Sequence, residues 1–271
     1  MIKGDIMNKL EFLVSTMDLD SYNLHKQMNI DKNVLVINQS NKMHTNFEDK
    51  KKGIKYINVN ERGLSKSRNL AIRESAGDIC IISDDDVKYI DKAEEIIINE
   101  HLINREADLI VFQVERINGR EKRFHNEKEK LNFFKALKVS SVEITFKRKS
   151  IIEKNIKFNE LLGAGADFFM GEENDFMIQC LKHKLVIQYV PIKIAEVDMS
   201  DSSWFEDFNE KYFYSRGASY ASMFPRLYPI MLAQFFIRKR KLMNIQFKDV
   251  FKCYLWSLKG SFKYKKIANK E

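Results

Sequence analysis

Short apolar runs bounded by turn-forming residues alternate with segments of helical period along the first half of this chain. Residues 11–16, 33–37, 54–59, 78–83 and 107–114 are runs of strand length, rich in Val, Ile, Leu and Phe. Such runs read as strands buried on both faces. Between them, 22–28, 64–74 and 91–100 read as helices. In 64–74, Leu64, Leu70, Ala71 and Ile72 are apolar among polar partners, and Ser65 or Ser67 is available as a cap. Alternation of this kind predicts a parallel, doubly wound sheet.

Beyond about residue 115 the pattern loosens. A short strand is expected at 143–146, a turn or short helix at 149–155, and a Gly/Ala-rich loop at 163–170. A helix follows at 172–182, then a strand at 185–189 that should stop at Pro191. Residues 204–224 are aromatic-rich and read as helix. In the tail, Phe247, Val250, Phe251, Tyr254, Leu255 and Leu258 recur at steps of three and four with lysines between them, an amphipathic basic helix.

Length and composition narrow this further. The 271 residues fit one large α/β domain with an appendage, and 10 Gly with 3 Pro leave no linker or low-complexity tract. The expected division is an α/β domain over 1–200, with halves at about 1–115 and 116–200, and a helical, aromatic and basic extension over 201–271. Cys80, Cys180 and Cys253 form no CxxC pair, which suggests reduced thiols in a cytoplasmic setting. The apolar run at 10–14 is too short for a signal peptide. The longest apolar stretch near the C-terminus, 227–237, is too short to span a bilayer.

Charge is unevenly placed. Eleven Lys and Arg against two Asp and Glu lie between 238 and 271, a balance of +9, so with +8 overall the rest of the chain carries −1. A body this close to neutral, with no nucleic-acid motif, argues against a nucleic-acid partner, although aromatics among lysines can bind single strands. An anionic membrane surface suits the tail better. The expectation is peripheral association at the inner face of the plasma membrane; the alternative is a helix packed on the domain with its lysines solvated.

The chemistry concentrates in four segments. Asp84-Asp85-Asp86 follows the apolar run 79–82 and Ser83. Three adjacent carboxylates at a strand end are costly unless a cation sits there, and hard divalent ions prefer oxygen ligands. In open α/β sheets that edge is also where ligands bind. Gly63 to Asn69 is a helix start with hydroxyls, Lys66 and Arg68, suited to an anion. Gly163-Ala164-Gly165-Ala166-Asp167 and Gly171-Glu172-Glu173-Asn174-Asp175 combine small residues with paired carboxylates able to supply a general base. Asp201 to Phe205 is a polar turn presenting Trp204.

The order Arg62-Gly63-Leu64-Ser65-Lys66-Ser67-Arg68-Asn69-Leu70-Ala71, Ala76-Gly77-Asp78, Asp84-Asp85-Asp86, then Gly171-Glu172-Glu173, resembles family 2 glycosyltransferases of the GT-A fold, over about 11–197. It is also similar to a bacterial subgroup of surface-polysaccharide assembly, in which a Ser-(Ser/Thr)-Trp-Phe segment follows the catalytic region. The resemblance implies a GT-A, Rossmann-like mixed sheet, mostly parallel and flanked by helices, with the amphipathic helical extension at its C-terminal end. It implies a metal-dependent, hexosyltransferase-like inverting enzyme that moves a sugar from a nucleotide-sugar donor to a saccharide or lipid-linked acceptor.

The same resemblance distributes roles. Asp84 and Asp86 would hold Mg²⁺ or Mn²⁺, with Asp84 or Asp85 touching the ribose or sugar. Ser15, Thr16, Asn38, Gln39 and Arg68 would contact the donor nucleotide, a UDP-sugar being favoured. Glu173 would be the base, oriented by Glu172. Acceptor contacts are expected at Gly165, Asp167, Asp175 and Trp204. The chain departs from the family in three places. Asn38 and Gln39 stand where many members carry Asp, Ser83 replaces a first Asp and leaves the register of the metal ligands open by one, and the base is more often Asp. The alternatives are a non-catalytic GT-A-like scaffold and a single-stranded nucleic-acid-binding protein.

Overall fold

The computed structural model describes residues 9–42, 45–119, 122, 124–200 and 207–270. The chain divides into two compact units: Met1–Arg62, Lys66–Lys157 and Met177–Ser202 form the first, and Gly63–Ser65, Phe158–Phe176 and Ser203–Glu271 the second. The division differs from a cut near residue 200, because 158–176 goes with the C-terminal helices. Within the second unit Leu162 and Phe168 pack with Ala218, Tyr214 and Tyr264, so that loop shares their core.

The first unit is built on a ten-stranded mixed sheet. Its parallel part consists of β1 (Leu10–Met17), β2 (Val34–Gln39), β4 (Ile54–Val59) and β5 (Ile79–Asp84) in the order β4-β2-β1-β5. These are the long apolar runs of the sequence, and β2 is buried along its whole length. Antiparallel pairing enters through β3 (Phe47–Asp49), β6 (Val87–Tyr89), β8 (Glu129–Lys130) and β9 (Ile144–Lys147). Strand β9 sits between β5 and β7 (Leu109–Ile117). Three of these, β3, β6 and β8, have two or three residues each and were not visible as apolar runs. Their pairing partners, not their composition, make them strands.

Strand β10 (Ile187–Asp198) corrects the expected stop at Pro191. It continues past the proline because its pairing with β7 shifts register between Tyr189 and Lys193 and again between Lys193 and Ala195. A bulge leaves a residue outside the ladder, so the missing N–H of Pro191 costs no sheet bond. The extension carries the strand to Asp198, where it matters for the site.

Helices α1 (Leu24–Gln27), α2 (Leu64–Glu74), α3 (Ala93–Ile103), α4 (Phe133–Ala136), α5 (Arg148–Glu153) and α6 (Glu172–Lys182) follow or separate the strands. Helices α2 and α6 have the boundaries their periodicity predicts. Ser65 donates to the Leu162 carbonyl at 2.6 Å, and Ser67 donates to Ser15 Oγ at 2.8 Å. Each is buried and reaches sideways into its own unit.

The second unit holds α7 (Glu210–Met223), α8 (Tyr228–Lys239) and α9 (Phe247–Ala268). Phe213, Phe236, Tyr212, Met243 and Cys253 form its core. Helices α7 and α9 cross in backbone contact: a methyl on Gly217 would collide with the Ser257 carbonyl, and one on Gly260 with the Tyr214 carbonyl. Among the described residues no helix is long and apolar enough to cross a membrane. Cys80, Cys180 and Cys253 are buried free thiols, and burial pushes the Cys80 thiol up to about 12.

Candidate active site

The C-terminal ends of β1 and β5 lie side by side, with Ser15 in register with Asp84. Parallel strands deliver their ends to one edge, so the loop after β1 and the Asp triplet after β5 share it. Arg68 of α2 meets them there. Its Nη2 donates to Asp84 Oδ1 at 2.8 Å and to Ser141 Oγ at 2.9 Å. The guanidinium is almost wholly buried, while the Asp84 carboxylate stays partly open. Thr16 Oγ1 donates to Asp85 Oδ2 at 2.5 Å. Two of the three carboxylates are therefore oriented from behind by neighbours within the first unit.

Asp86 has the least favourable environment of the three. The surrounding protein desolvates its carboxylate, and Asp84, Asp85 and Asp198 repel it, so its pKa rises from 3.8 to about 6. Asp198 is near because Val87 pairs with Val197 in the β6–β10 ladder, one residue beyond each. Ser83, at the preceding position, lies inside the fold. It is fully buried and accepts a hydrogen bond from the Tyr89 hydroxyl at 3.1 Å, so a carboxylate there would be sealed away from any ligand. Solvent reaches the chain from Asp84 onward, with Asp84 half-buried and Asp85 and Asp86 exposed.

The donor set suits one kind of cation site. Among the described residues no group of three His, Cys, Asp or Glu side chains stands ready to enclose a metal. An ion of the Mg²⁺ type, however, takes one or two carboxylates and completes its shell with substrate phosphates and water. Asp86, desolvated by its surroundings and repelled by like charges, with Asp84 beside it, fits that shared mode and not an all-protein cage.

At the ends of β2 and β4 the two amides read as base contacts are tied into the fold. Asn38 donates from Nδ2 to the Leu19 carbonyl and to Asn58 Oδ1, and its Oδ1 accepts from the Leu19 N–H. Gln39 donates to the Glu61 carbonyl at 2.6 Å. The same rim carries an ion pair absent from the sequence reading: Arg62 Nη2 reaches both Asp18 oxygens, at 2.7 and 2.9 Å, and holds that carboxyl below its usual range.

In the second unit, the loop 163–165 is fastened to the start of α2. The Leu64 N–H donates to the Ala164 carbonyl, and Gly165, at φ +77°, lies so close that a methyl there would press on Gly63. Glu172 is buried and lies across Gly163, while Glu173 is less buried and feels the positive charge of Arg216. Asp167 is exposed. Asp175 is buried and accepts from Ser222 Oγ at 2.6 Å, in a network with Asn159 and Tyr264. Trp204 lies outside the described residues.

Sequence reasoning missed Ser141, Arg116, Asp198 and the Arg62–Asp18 pair. Ser140 and Ser141 open a 3₁₀ turn (Ser141–Glu143) in which Ser140 accepts from Arg116 and Ser141 from Arg68. Nothing local marks these residues. Only a Ser-Ser pair just before a strand hinted at a turn.

The model of glycosyl transferase family 2 matches residues 23–171, more than half of the chain. The chain belongs to glycosyl transferase family 2. No curated protein matches its sequence closely enough to count as a relative. Among solved structures, the fold of this family 2 member is similar to S. aureus TarS residues 1–349 in complex with UDP-GlcNAc, at 14% identity and TM-score 0.62, covering 92% of this chain and 79% of that one. TarS 1–349 alone (12%, TM-score 0.58) and with UDP (14%, TM-score 0.56) match over 92% of this chain and 81% of theirs. At such identities the likeness concerns the fold, a GT-A-like mixed sheet with C-terminal helices.

Proposed function

We propose that this family 2 member is an inverting transferase that moves a sugar from a nucleotide-sugar, a UDP-sugar by preference, to a saccharide or lipid-linked acceptor in surface-polysaccharide assembly. One observation carries the reading. Arg68, Thr16 and the Asp triplet converge on a single strand-end edge, with Asp84 and Asp85 held in place and Asp86 left in excess negative charge. The choice of nucleotide is supported by solved TarS structures that contain UDP-GlcNAc and UDP.

In this mechanism Glu173 takes the proton of an acceptor hydroxyl. The hydroxyl oxygen forms its bond to the anomeric carbon as the bond to the diphosphate oxygen breaks on the opposite face. One displacement inverts the centre. Glu172, packed across Gly163, limits the motion of the loop beside the base. The Arg68–Asp84 pair keeps the donor edge preorganised, so little reorganisation accompanies the build-up of charge on the leaving group. A divalent ion held by Asp86 and Asp84 would offset the charge of the departing nucleoside diphosphate.

The test is donor binding and slow hydrolysis across a panel of nucleotide-sugars with Mg²⁺ or Mn²⁺, then with EDTA. Metal-dependent binding of one donor, lost in Asp86→Ala, is the expected result. A folded protein with no metal-dependent nucleotide binding would turn the assignment toward a scaffold.

A further inference from the structure

The sequence shows one apolar stripe in the tail; the fold splits it in two. On α9, Val250, Cys253 and Tyr254 pack into the second unit's core, and Ser257, Gly260 and Ser261 are buried on the same face. A second row points outward. Phe247 is 83% exposed, Phe251 69%, Leu255 41% and Phe262 61%. Their steps of four, four and seven place them on one strip of a helix, about a third of a turn from the packed face. Beside that strip runs a row of exposed lysines, Lys248, Lys252, Lys259, Lys263 and Lys266. Helix α8 repeats the arrangement on a smaller scale: Tyr228, Leu232 and Phe236 face inward, while Ile230 and Ile237 are 68% and 81% exposed.

These side chains are out of proportion to the rest of the surface. Of sixteen exposed large hydrophobic residues among the described ones, eight lie between Leu227 and Phe262. Apolar exposure concentrated in this way marks an interaction site. Five of the eight lie within 238–271, the segment that holds a charge of +9 in a chain otherwise at −1.

We propose that the outward face of α9, joined by the exposed isoleucines of α8, docks flat on a bilayer containing anionic phospholipid. Phenylalanine and leucine side chains enter the headgroup–acyl boundary, and the lysine row, on long flexible stems, meets lipid phosphates. The helix lies on the membrane and does not cross it, in keeping with the absence of a spanning helix among the described residues. A nucleic acid would use the lysines and stack on the phenylalanines, but would leave Leu255, Ile230 and Ile237 without a role. A protein groove would take the apolar row but gives no reason for five aligned lysines. The proposal does not rest on donor chemistry, and its failure would leave the transferase reading where it stands.

Flotation of the full chain with vesicles tests it. One set is phosphatidylcholine alone; the other is an equimolar mixture of phosphatidylcholine and phosphatidylglycerol. Binding to the mixture and not to phosphatidylcholine is expected. Phe251→Ser with Phe262→Ser should reduce partitioning roughly tenfold or more, because aromatic insertion drives interfacial binding. Lys259→Gln with Lys263→Gln should reduce it by about tenfold and weaken its salt dependence. All four side chains are exposed, so unchanged thermal unfolding shows that the variants fold. Equal partitioning by parent and variants would overturn the proposal. So would vesicle-free dimers that dissociate in the phenylalanine variant, or tighter binding to single-stranded DNA than to the mixed vesicles.

Discussion

Arg68 and Asp84 form an ion pair across 2.8 Å in which the cation is 1% exposed and the anion 34% exposed. The pair is asymmetric. Removing the anion leaves a buried guanidinium with one acceptor fewer, while removing the cation leaves a carboxylate that water can reach. Asp84→Ala should therefore cost more stability than an exposed pair would, about 2 kcal/mol. Urea denaturation of the variant checks the value, and a loss within the range of a surface pair would show that Asp84 is not what satisfies Arg68.

Asp86 gives a pH dependence with a definite sign. Its carboxyl has a pKa near 3.8 when unfolded and about 6 in the fold, so the folded chain binds more protons between those values. The contribution of Asp86 to stability is accordingly present below about pH 4 and is lost as pH rises through about 6. Asp86→Asn should melt higher than the parent at pH 7, with the gap closing near pH 4. The same substitution should abolish metal-dependent donor binding. In the parent, that binding should tighten as pH rises through 6, because the ion displaces a proton.

Glu173→Gln should lower turnover by roughly 10²–10⁴-fold, the range of a lost general base. Donor affinity should remain within about twofold, since no donor contact is assigned to Glu173. Isothermal titration with UDP beside a transfer assay separates the two. A matched loss of donor affinity would remove Glu173 from the role of base.

Asn38→Asp should destabilise by about 2 kcal/mol. The side chain donates to the Leu19 carbonyl and to Asn58 Oδ1, and a carboxylate would set acceptor against acceptor at both. Thermal unfolding is the readout, and an unchanged midpoint would mean that the loop at Leu19 is not held by Asn38.

Gly217→Ala should cost about 3 kcal/mol, the upper range for overpacking a close contact. The added methyl would meet the Ser257 carbonyl, which is backbone and cannot move aside without parting α7 from α9. Denaturant unfolding, or loss of near-ultraviolet signal from Trp256, reports it.

The sheet was legible where its strands are long. The runs that became β1, β2, β4 and β5 are mostly apolar, and β1, β2 and β5 are buried on both faces along most of their length. β3, β6 and β8 were not, since two or three residues carry no period. Pro191 misled for a related reason. A proline ends a strand only if its N–H would have faced a partner, and the bulge in β10 removes that condition.

By itself the sequence determined the type and order of the principal elements, the acidic edge after β5, the glycine-rich loop before α6 and the gathering of charge in the tail. These depend on composition and on periods of two and 3.6 residues, which neighbouring positions set. Tertiary structure alone decided which groups meet: Arg68 with Ser141 across 73 positions, Asp86 with Asp198, and Asp175 with Ser222 across 47. It also decided which aromatics of α9 are packed and which are left outward. Side chains of equal hydrophobicity and spacing compete for the same core, and only the shape of the opposing helices selects between them.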